Sequence, residues 1–492
     1  MDRDNQSIIE FRENPERDEA IFKLGQYYED KGLFHRALKC YQRAIDKSKG
    51  NPIYLIKKAK MLAYLNCHTE AISLIQPLSE SEHHDAFIHS ELSLIYKKLG
   101  QTEEAIRHIK EAVFLDSKNP QYYLQLGDLF HKKGYINEAI LSYKQSLFYN
   151  DNNCITLNNL AISCKDNHQL EEAIDNFQRA LSLCPDEPYI HFNYAQCLLL
   201  SGNMTEGFKE YEWRLKKDDY KNYLRDYQKP YWRGEYSNST IVIFAEQGFG
   251  DTIHFVRYIN LVKERGLKVI LLCHEELKEL FMALQGLQGV YSFQEALPEF
   301  DLQCPILSLP YIFKTTLDTI PAKIPYLTAR SDKINKFKEL TETKGTLKIG
   351  LTWAGNPAHE DDLNRSISFD YFYPLLSLKG FTFFSLQFGE AAKCSDESLI
   401  DLSSHIKDFS DTAGLIDSLD FIITVDTAIA HLAGAMGKET WLLLPYTPDW
   451  RWMLNNSTTP WYPTVRLFRQ VERGNWQGVI KEVVNRCKQL KF

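Results

Sequence analysis

The chain lacks most of the features that declare a function early. Its 492 residues include ten cysteines, yet no two stand in a C-x-x-C pair, the spacing used by zinc sites and redox-active thiols. Cys154, Cys164, Cys184 and Cys197 read instead as core filler, and a reducing cytoplasm is the expected compartment. No stretch approaches the roughly 18 consecutive apolar residues that a membrane span needs. The opening MDRDNQSIIEFRENPERDEA is polar and acidic, unlike a signal peptide or an anchor. A basic stripe is missing too: 57 Lys+Arg against 65 Asp+Glu leave a net charge of -8, which speaks against nucleic acid as a partner. What is left, 44% hydrophobic and 25% charged, is an ordinary soluble composition of a length that implies about three domains.

What is present is periodic. Small residues return every 34 positions at Ala37, Ala71, Ala105, Ala139, Ala173 and Gly207. A second series keeps the step at Gly25, Ala59, Ser93, Gly127, Ala161 and Ala195, and a third places bulky groups at Tyr41, Ile75, Ile109, Tyr143, Phe177 and Tyr211. Small residues at two fixed points let paired helices approach, and the large one fills the gap between hairpins. Gly32, Gly100 and Gly134 mark turns between helices, while Pro120 and Pro185 lie between hairpins. The pattern resembles the tetratricopeptide repeat, about six copies over 1–216. That resemblance implies a superhelix with a concave face that binds peptides.

The rhythm ends near Trp213-Arg214, and a polar, tyrosine-rich connector follows over 217–239. Short apolar runs then alternate with helical stretches. Strands are expected at Ile241–Phe244, Lys268–Cys273, Leu347–Trp353, Phe381–Gln387, Phe421–Val425 and Thr440–Leu444. Helices are expected at Asp251–Arg265, Phe369–Leu376, Thr412–Ser418 and Thr427–Met436, with a terminal amphipathic helix at Asn475–Leu490. Such alternation predicts parallel sheets covered by helices. The proline-bearing, charged segment Ile320–Thr346 breaks the series, so two Rossmann-like halves are expected at 240–328 and 347–492, joined by a linker at 329–346. The fold class is therefore α plus α/β.

Ligands of such sheets bind beyond the carboxyl ends of the strands, and there the polar residues and glycines gather. The expected strand ends run into Glu246-Gln247-Gly248-Phe249-Gly250-Asp251-Thr252, Trp353-Ala354-Gly355-Asn356, Gln387-Phe388-Gly389, Asp426-Thr427-Ala428 with His431, and Pro445-Tyr446-Thr447 followed by Asp449-Trp450-Arg451-Trp452. Asp426-Thr427 opens a helix rich in small residues, whose free N–H groups and dipole favour a diphosphate. The plain alternative makes Asp426 only the helix cap. Asp251, after two glycines, has the chemistry of a general base.

From Ile241 onward the chain resembles the glycosyltransferase family that contains the lipopolysaccharide heptosyltransferases, glycosyltransferase family 9. The resemblance rests on G-F-G-D-T-I at 248–253, T-W-A-G at 352–355 and D-T-A-I-A-H-L-A-G-A-M-G-K at 426–438. D-W-R-W and W-Y-P resemble a bacterial branch fused behind tetratricopeptide repeats. The family implies a GT-B pair of Rossmann-like domains and inverting transfer from a nucleotide-sugar without a metal or other cofactor. It implies Asp251 as base. His254 and Arg257 follow Asp251 at steps of three and share its helix face, so with Gly248 and Gly250 they are expected on the acceptor side, the alternative being simple surface placement. The family implies Asp426, Thr427, Ala428 and His431 around the donor, with Arg365 in place of the family's usual lysine. Trp353, Gly355, Asn356 and Gln387, at the neighbouring strand ends, are expected beside them. In the array, Gln125, Asn159 and Asn193 stand where the O-linked N-acetylglucosamine transferases carry an asparagine ladder for peptide backbones. Earlier repeats have Lys23, Lys57 and Glu91 at this position.

The expected function is hexosyl or heptosyl transfer, that is protein glycosylation of an acceptor held by the repeats. The alternatives are a cell-surface polysaccharide or lipid-core transferase that uses the repeats for recruitment, and an inactive repeat scaffold. Elsewhere bland readings are preferred or equal. Asp361-Asp362 form a solvated face, Trp450, Trp452 and Trp461 pack a loop or stack on a base, and Arg466 and Arg469 are solvated arginines of an edge strand.

Overall fold

A computed structural model describes residues 3–48, 50–80, 85–222, 227–359, 361–388 and 396–490. The chain forms two compact units, Met1–Pro185 and Asp186–Phe492.

In the first unit, helices pack in consecutive pairs, such as Asp18–Asp30 with Phe34–Ser48 and Pro120–Lys132 with Ile136–Tyr149. The three periodic series are buried, and they are complementary. A Cβ on Gly25 would sit 2.6 Å from the Tyr41 ring, and one on Gly127 2.5 Å from Tyr143, so these tyrosines require a glycine opposite. Where the bulky residue is Ile75 or Ile109, Ala59 or Ser93 suffices. The two tyrosine hydroxyls donate to Glu29 and Asp128 at 2.5 and 2.9 Å, satisfying the polar tips of otherwise buried rings.

A fourth series at the same step was legible in the sequence only at its turn glycines Gly32, Gly100 and Gly134. Gly32, Asn66, Gly100, Gly134, His168 and Gly202 all have positive φ, between 61° and 90°. Glycine reaches this helix-ending conformation freely, and Asn is the next best tolerated. A fifth series caps the following helices: side chains of Asn51, Asp85, Asn119, Asn153 and Glu187 accept backbone N–H bonds. Pro120 is the first residue of a helix rather than a spacer. Cys154 and Cys184 are not core filler. They form a disulfide across one hairpin, with Cα atoms 6.3 Å apart, because they occupy the first turn of one helix and the end of the next. Cys164 and Cys197 are buried thiols outside this disulfide.

The second unit begins with the last hairpin of the periodic series, Pro188–Leu200 and Met204–Tyr211, which the sequence groups with the repeats. Phe208 of this hairpin meets Trp450 edge-on at 5.7 Å. Two sheets follow. The first contains β1 (Thr240–Phe244), β2 (Lys268–Cys273), β3 (Gly289–Ser292) and β4 (Leu302–Pro305), parallel in the order β3-β2-β1-β4. The second contains β5 (Leu347–Thr352), β6 (Phe381–Ser385), β7 (Leu399–Asp401), β8 (Phe421–Val425), β9 (Thr440–Leu444), β10 (Thr458–Thr459) and β11 (Tyr462–Arg469). Its order is β10-β11-β9-β8-β5-β6-β7, parallel except for β10 against β11. β8 and β9 are buried throughout, so each reads as an unbroken apolar run. The short strands β3, β4 and β7 gave no such run.

Part of the connector is built into the first sheet: Trp232 N–H donates to Gln303 and Gln303 N–H to Pro230, covering the β4 edge. The 329–346 segment contains a helix, Ser331–Leu340, packed on the helix Phe409–Ser418. Lys333 and Lys336 there bind the buried Asp411 at 2.8 and 3.1 Å, so this stretch belongs to the second half rather than to a free tether.

Candidate functional site at the strand ends

β1 ends at Phe244 and leads through Ala245 to Glu246, and Gln247 then takes φ 58°, turning the chain into the helix Phe249–Phe255. Asp251, in the first turn, accepts from Gly248 N–H at 3.2 Å and so closes the loop. Gly250 is where the two sheet-bearing halves meet. A Cβ there would lie 2.9 Å from His431 Cδ2 and 3.5 Å from Ala428 Cα. The glycine loop and the small-residue helix Ala428–Ala435 are thus packed on one another, and any larger residue at 250 would part them.

Asp251 Oδ1 accepts from Arg451 at 2.5 Å, and Arg451 also grips Asp449 at 2.9 and 3.0 Å. Burial lifts the Asp251 carboxyl above its usual range and Asp449 adds to this, against the opposing pull of Arg451. Asp426 is not a helix cap. Thr427 is, accepting from Ile429 N–H at 3.3 Å, which leaves the Asp426 carboxylate beside Asp449, Arg365 and Arg451. Burial first, then Asp449, pushes Asp426 up to about 7. The Trp452 indole N–H lies near without a formed hydrogen bond, and with the two arginines it moderates the rise.

Arg365 lies over Gly355, where a Cβ would come 2.7 Å from its Nη2, and it is held by Asp362 at 3.3 Å. Asp362 is therefore 8% exposed and paired, not part of a solvated face. Asn356 is exposed and accepts from Ala358 N–H. Gln387 is spent on the fold: its Oε1 accepts from Trp353 and Ala354 N–H at 3.1 and 3.0 Å, and its Nε2 donates to Ala354 O at 2.9 Å. Trp353 is a core residue against Phe369. Gly389 lies outside the described residues.

His254 and Arg257 do not border an open acceptor face. His254 is 0% and Arg257 3% exposed. Arg257 donates to Trp461 O at 2.8 Å and to the Tyr326 hydroxyl at 3.0 Å, tying the glycine-loop helix to the second sheet. The Tyr462 hydroxyl stands between His254 Nδ1 at 2.8 Å and His431 Nδ1 at 2.9 Å. Burial, with neighbouring arginines, holds both histidines well below the usual imidazole range, so both are neutral. Trp450, Trp452 and Trp461 are all buried packing residues. β10 covers the edge beyond β11, and Arg469 is half-buried and donates to Trp452 O; burial lowers its pKa to about 10.

Sequence reasoning missed the anchor of the glycine loop. Arg214, 0% exposed, donates to both carboxylate oxygens of Glu246 at 3.2 and 3.1 Å and to Ser308 Oγ at 2.9 Å. Leu307 N–H and Tyr220 complete the carboxylate's partners. Tyr211, the last bulky residue of the periodic series, borders Asp251 and Arg451. The one signal for this linkage was an arginine directly where the period stops. In the array, the expected groove residues are engaged: Gln125 accepts from Ser90 at 3.0 Å and Asn159 donates to Asp128 at 3.0 Å. Asn193 is half-buried in the second unit. Lys57 and Lys60 share Glu29 and Glu91. Among the described residues there is no group of three or more His, Cys, Asp or Glu arranged to hold a metal. Nor, among them, is any helix long and apolar enough to cross a membrane.

Comparison with known proteins shows tetratricopeptide repeats. The TPR repeat family matches residues 94–134, and tetratricopeptide-repeat families match 159–217, 18–46 and 120–153. Protein FlbA of Caulobacter vibrioides is 24% identical over 438 residues, covering 80% of this chain and 71% of FlbA. That share exceeds either unit, so the likeness runs into both. The repeat-containing protein MJ1428 of Methanocaldococcus jannaschii is 29% identical over 24% of this chain and 21% of its own length. Human protein O-mannosyl-transferase TMTC1 is 23% identical over 38% of this chain and 22% of its own length. The chain thus spans about a fifth of these last two relatives. Among solved structures, the Cut9–Hcn1 hetero-tetramer of the APC/C is 18% identical with a TM-score of 0.38, covering 43% of this chain and 42% of that one. A repeat protein of Thermus thermophilus is 23% identical with a TM-score of 0.33, covering 37% and 99%.

Proposed function

We propose that the second unit is a GT-B-type glycosyltransferase, moving a sugar from a nucleotide donor to a hydroxyl on a protein acceptor recruited by the repeats. One observation carries this reading. The glycine loop of the first sheet and the Asp426-Thr427-Ala428 helix start of the second sheet touch at Gly250 and His431, with Asp251, Arg451 and Arg365 around the seam. A base, a helix N-terminus and two guanidinium groups are the parts that an inverting displacement needs. Asp251 takes the acceptor proton, the acceptor oxygen bonds the anomeric carbon, and the nucleoside diphosphate leaves. Its growing charge meets the Thr427 helix start, Arg365 and Arg451. Asp449 can hold Arg451 when Asp251 turns to the acceptor, because the guanidinium already binds both. The human relative named as an O-mannosyl-transferase lends the same direction.

The test measures transfer from a panel of radiolabelled nucleotide-sugars, together with nucleoside diphosphate binding by calorimetry. Asp251→Asn is expected to lose about 10²–10⁴ in kcat, the worth of general-base assistance, while diphosphate affinity stays within about threefold. Full transfer by Asp251→Asn would remove it as the base. Absence of binding by every nucleotide and nucleotide-sugar would remove the donor reading.

A further inference from the structure

Among the described residues Tyr462 supplies the one hydroxyl between two neutral imidazoles, and a hydroxyl has one proton to give. It donates to one Nδ1 and accepts from the other, so the two rings carry their protons on opposite nitrogens. Tyr326 does not disturb this, since its own hydroxyl lies 3.0 Å from Ile253 O and 3.5 Å from Tyr462.

Which ring carries which tautomer follows from burial. His254 is 0% exposed, and its Nε2 has no partner among the described residues. A buried N–H left unpaired costs more than a buried lone pair left unpaired. His254 therefore carries its proton on Nδ1 and gives it to Tyr462 oxygen. Tyr462 then gives its own to His431 Nδ1, and His431 is left with its proton on Nε2. His431 keeps 6% of its surface exposed, and its Cδ2, the atom next to Nε2, faces Gly250, where a Cβ would come within 2.9 Å of it.

We infer that Tyr462, anchored by His254, is a positioning residue that fixes His431 as an Nε2–H donor aimed into the strand-end cluster, where it hydrogen-bonds a diphosphate oxygen. The inference rests on the donor reading above for its ligand, but not for its tautomers. The seating is supported by the packing: Tyr462 lies over Gly434, where a Cβ would come 2.6 Å from the ring, and Trp452 stacks on His431 at 5.3 Å and 20°. The ring can therefore neither swing nor flip without displacing a neighbour. Control of one imidazole nitrogen through a bond to the other is a common device in histidine chemistry.

The experiment combines nitrogen-15 NMR of the histidine-labelled full chain with titration of UDP, GDP, ADP and CDP. Wild type is expected to show His431 protonated on Nε2 and His254 on Nδ1, with His431 becoming a tautomer mixture in Tyr462→Phe. Affinity for the diphosphate that binds is expected to fall about two- to threefold in Tyr462→Phe, because only the Nε2–H fraction of the mixture binds. In a His431→Gln background, whose amide supplies a donor without reference to Tyr462, the same Tyr462→Phe change is expected to leave affinity unchanged. A merely structural tyrosine would give the same loss in both backgrounds. His431 protonated on Nδ1 in wild type, an unchanged tautomer in Tyr462→Phe, or equal diphosphate affinity in both proteins overturns the inference. Tautomers as stated with no diphosphate bound uphold the relay and overturn the transferase reading instead.

Discussion

The repeat array and the strand-end cluster are held by contacts of opposite range. In the array, partners are near in sequence: Gly127 and Tyr143 are 16 residues apart, and each capping side chain reaches two or three residues ahead. In the cluster, Asp251 meets Arg451 across 200 residues and His254 meets Tyr462 across 208. Local partners repeated along a chain leave a period. Distant partners met once leave none, so the array explains itself residue by residue while the cluster depends on the whole second unit. The last hairpin, Pro188–Tyr211, is where the two regimes overlap: it keeps the array's period but packs with the cluster.

That overlap gives the largest expected effect. A chain beginning at Asp186 is expected to fold cooperatively, because it retains the hairpin and Arg214. One beginning at Lys217 is expected to give no cooperative transition by circular dichroism, since Glu246 would be buried without its guanidinium and Trp450 without Phe208. Equal melting of the two chains would place the boundary at the end of the period after all.

A milder break leaves the hairpin in place. Arg214→Met in the full chain is expected to cost about 3–5 kcal/mol in urea unfolding, because it strands a buried carboxylate. Adding Glu246→Gln is expected to return part of this, by removing the stranded charge. A loss below about 1 kcal/mol would mean that Glu246 finds water or another partner.

The array was legible to the residue where steric demand acts on single positions. All eighteen residues of its three series are buried. The positive-φ series was read as separate turn glycines rather than as a series, because Asn66 and His168 stand at two of its six places and neither reads as a turn residue as plainly as glycine. In the second unit the long apolar strands could be read, whereas β3 and β4, four residues each, could not. The strand-end motifs were found as words, but their division of labour was not visible. Gln387 serves the fold, Thr427 rather than Asp426 caps the helix, and His254 is a core residue, each because of a partner supplied by another part of the chain.

Within the array the comparison can be sharpened by moving a local pair. Gly127→Ala is expected to destabilise by about 1–3 kcal/mol, as overpacking against the Tyr143 ring does. Tyr143→Ile alone empties the space and frees Asp128 from the hydroxyl. The double change copies Ala59 with Ile75, a pair the same fold already carries, and is expected to be more stable than the sum of the single losses predicts. Simple additivity in urea midpoints would show that pairs cannot be exchanged between repeats.

The last expected effect belongs to the cluster and is a matter of sign. Asp426 is pushed up to about 7, by burial first and then by Asp449, above the roughly 3.9 of an unfolded aspartate. Between these values the folded chain holds a proton that the unfolded chain has released, so stability falls as pH rises. The contribution is fully present below about pH 4 and is lost as pH passes through about 7. Asp426→Asn, which cannot ionise, is expected to remove this slope and to be the more stable protein at pH 8, measured by urea midpoints from pH 5 to 8. A diphosphate bound beside the carboxylate favours the same protonated form, so wild-type affinity is expected to weaken from pH 6 to 8 more steeply than that of Asp426→Asn. Parallel slopes would mean that the cluster's arginines already hold Asp426 ionised throughout, leaving the array and the cluster alike in pH response.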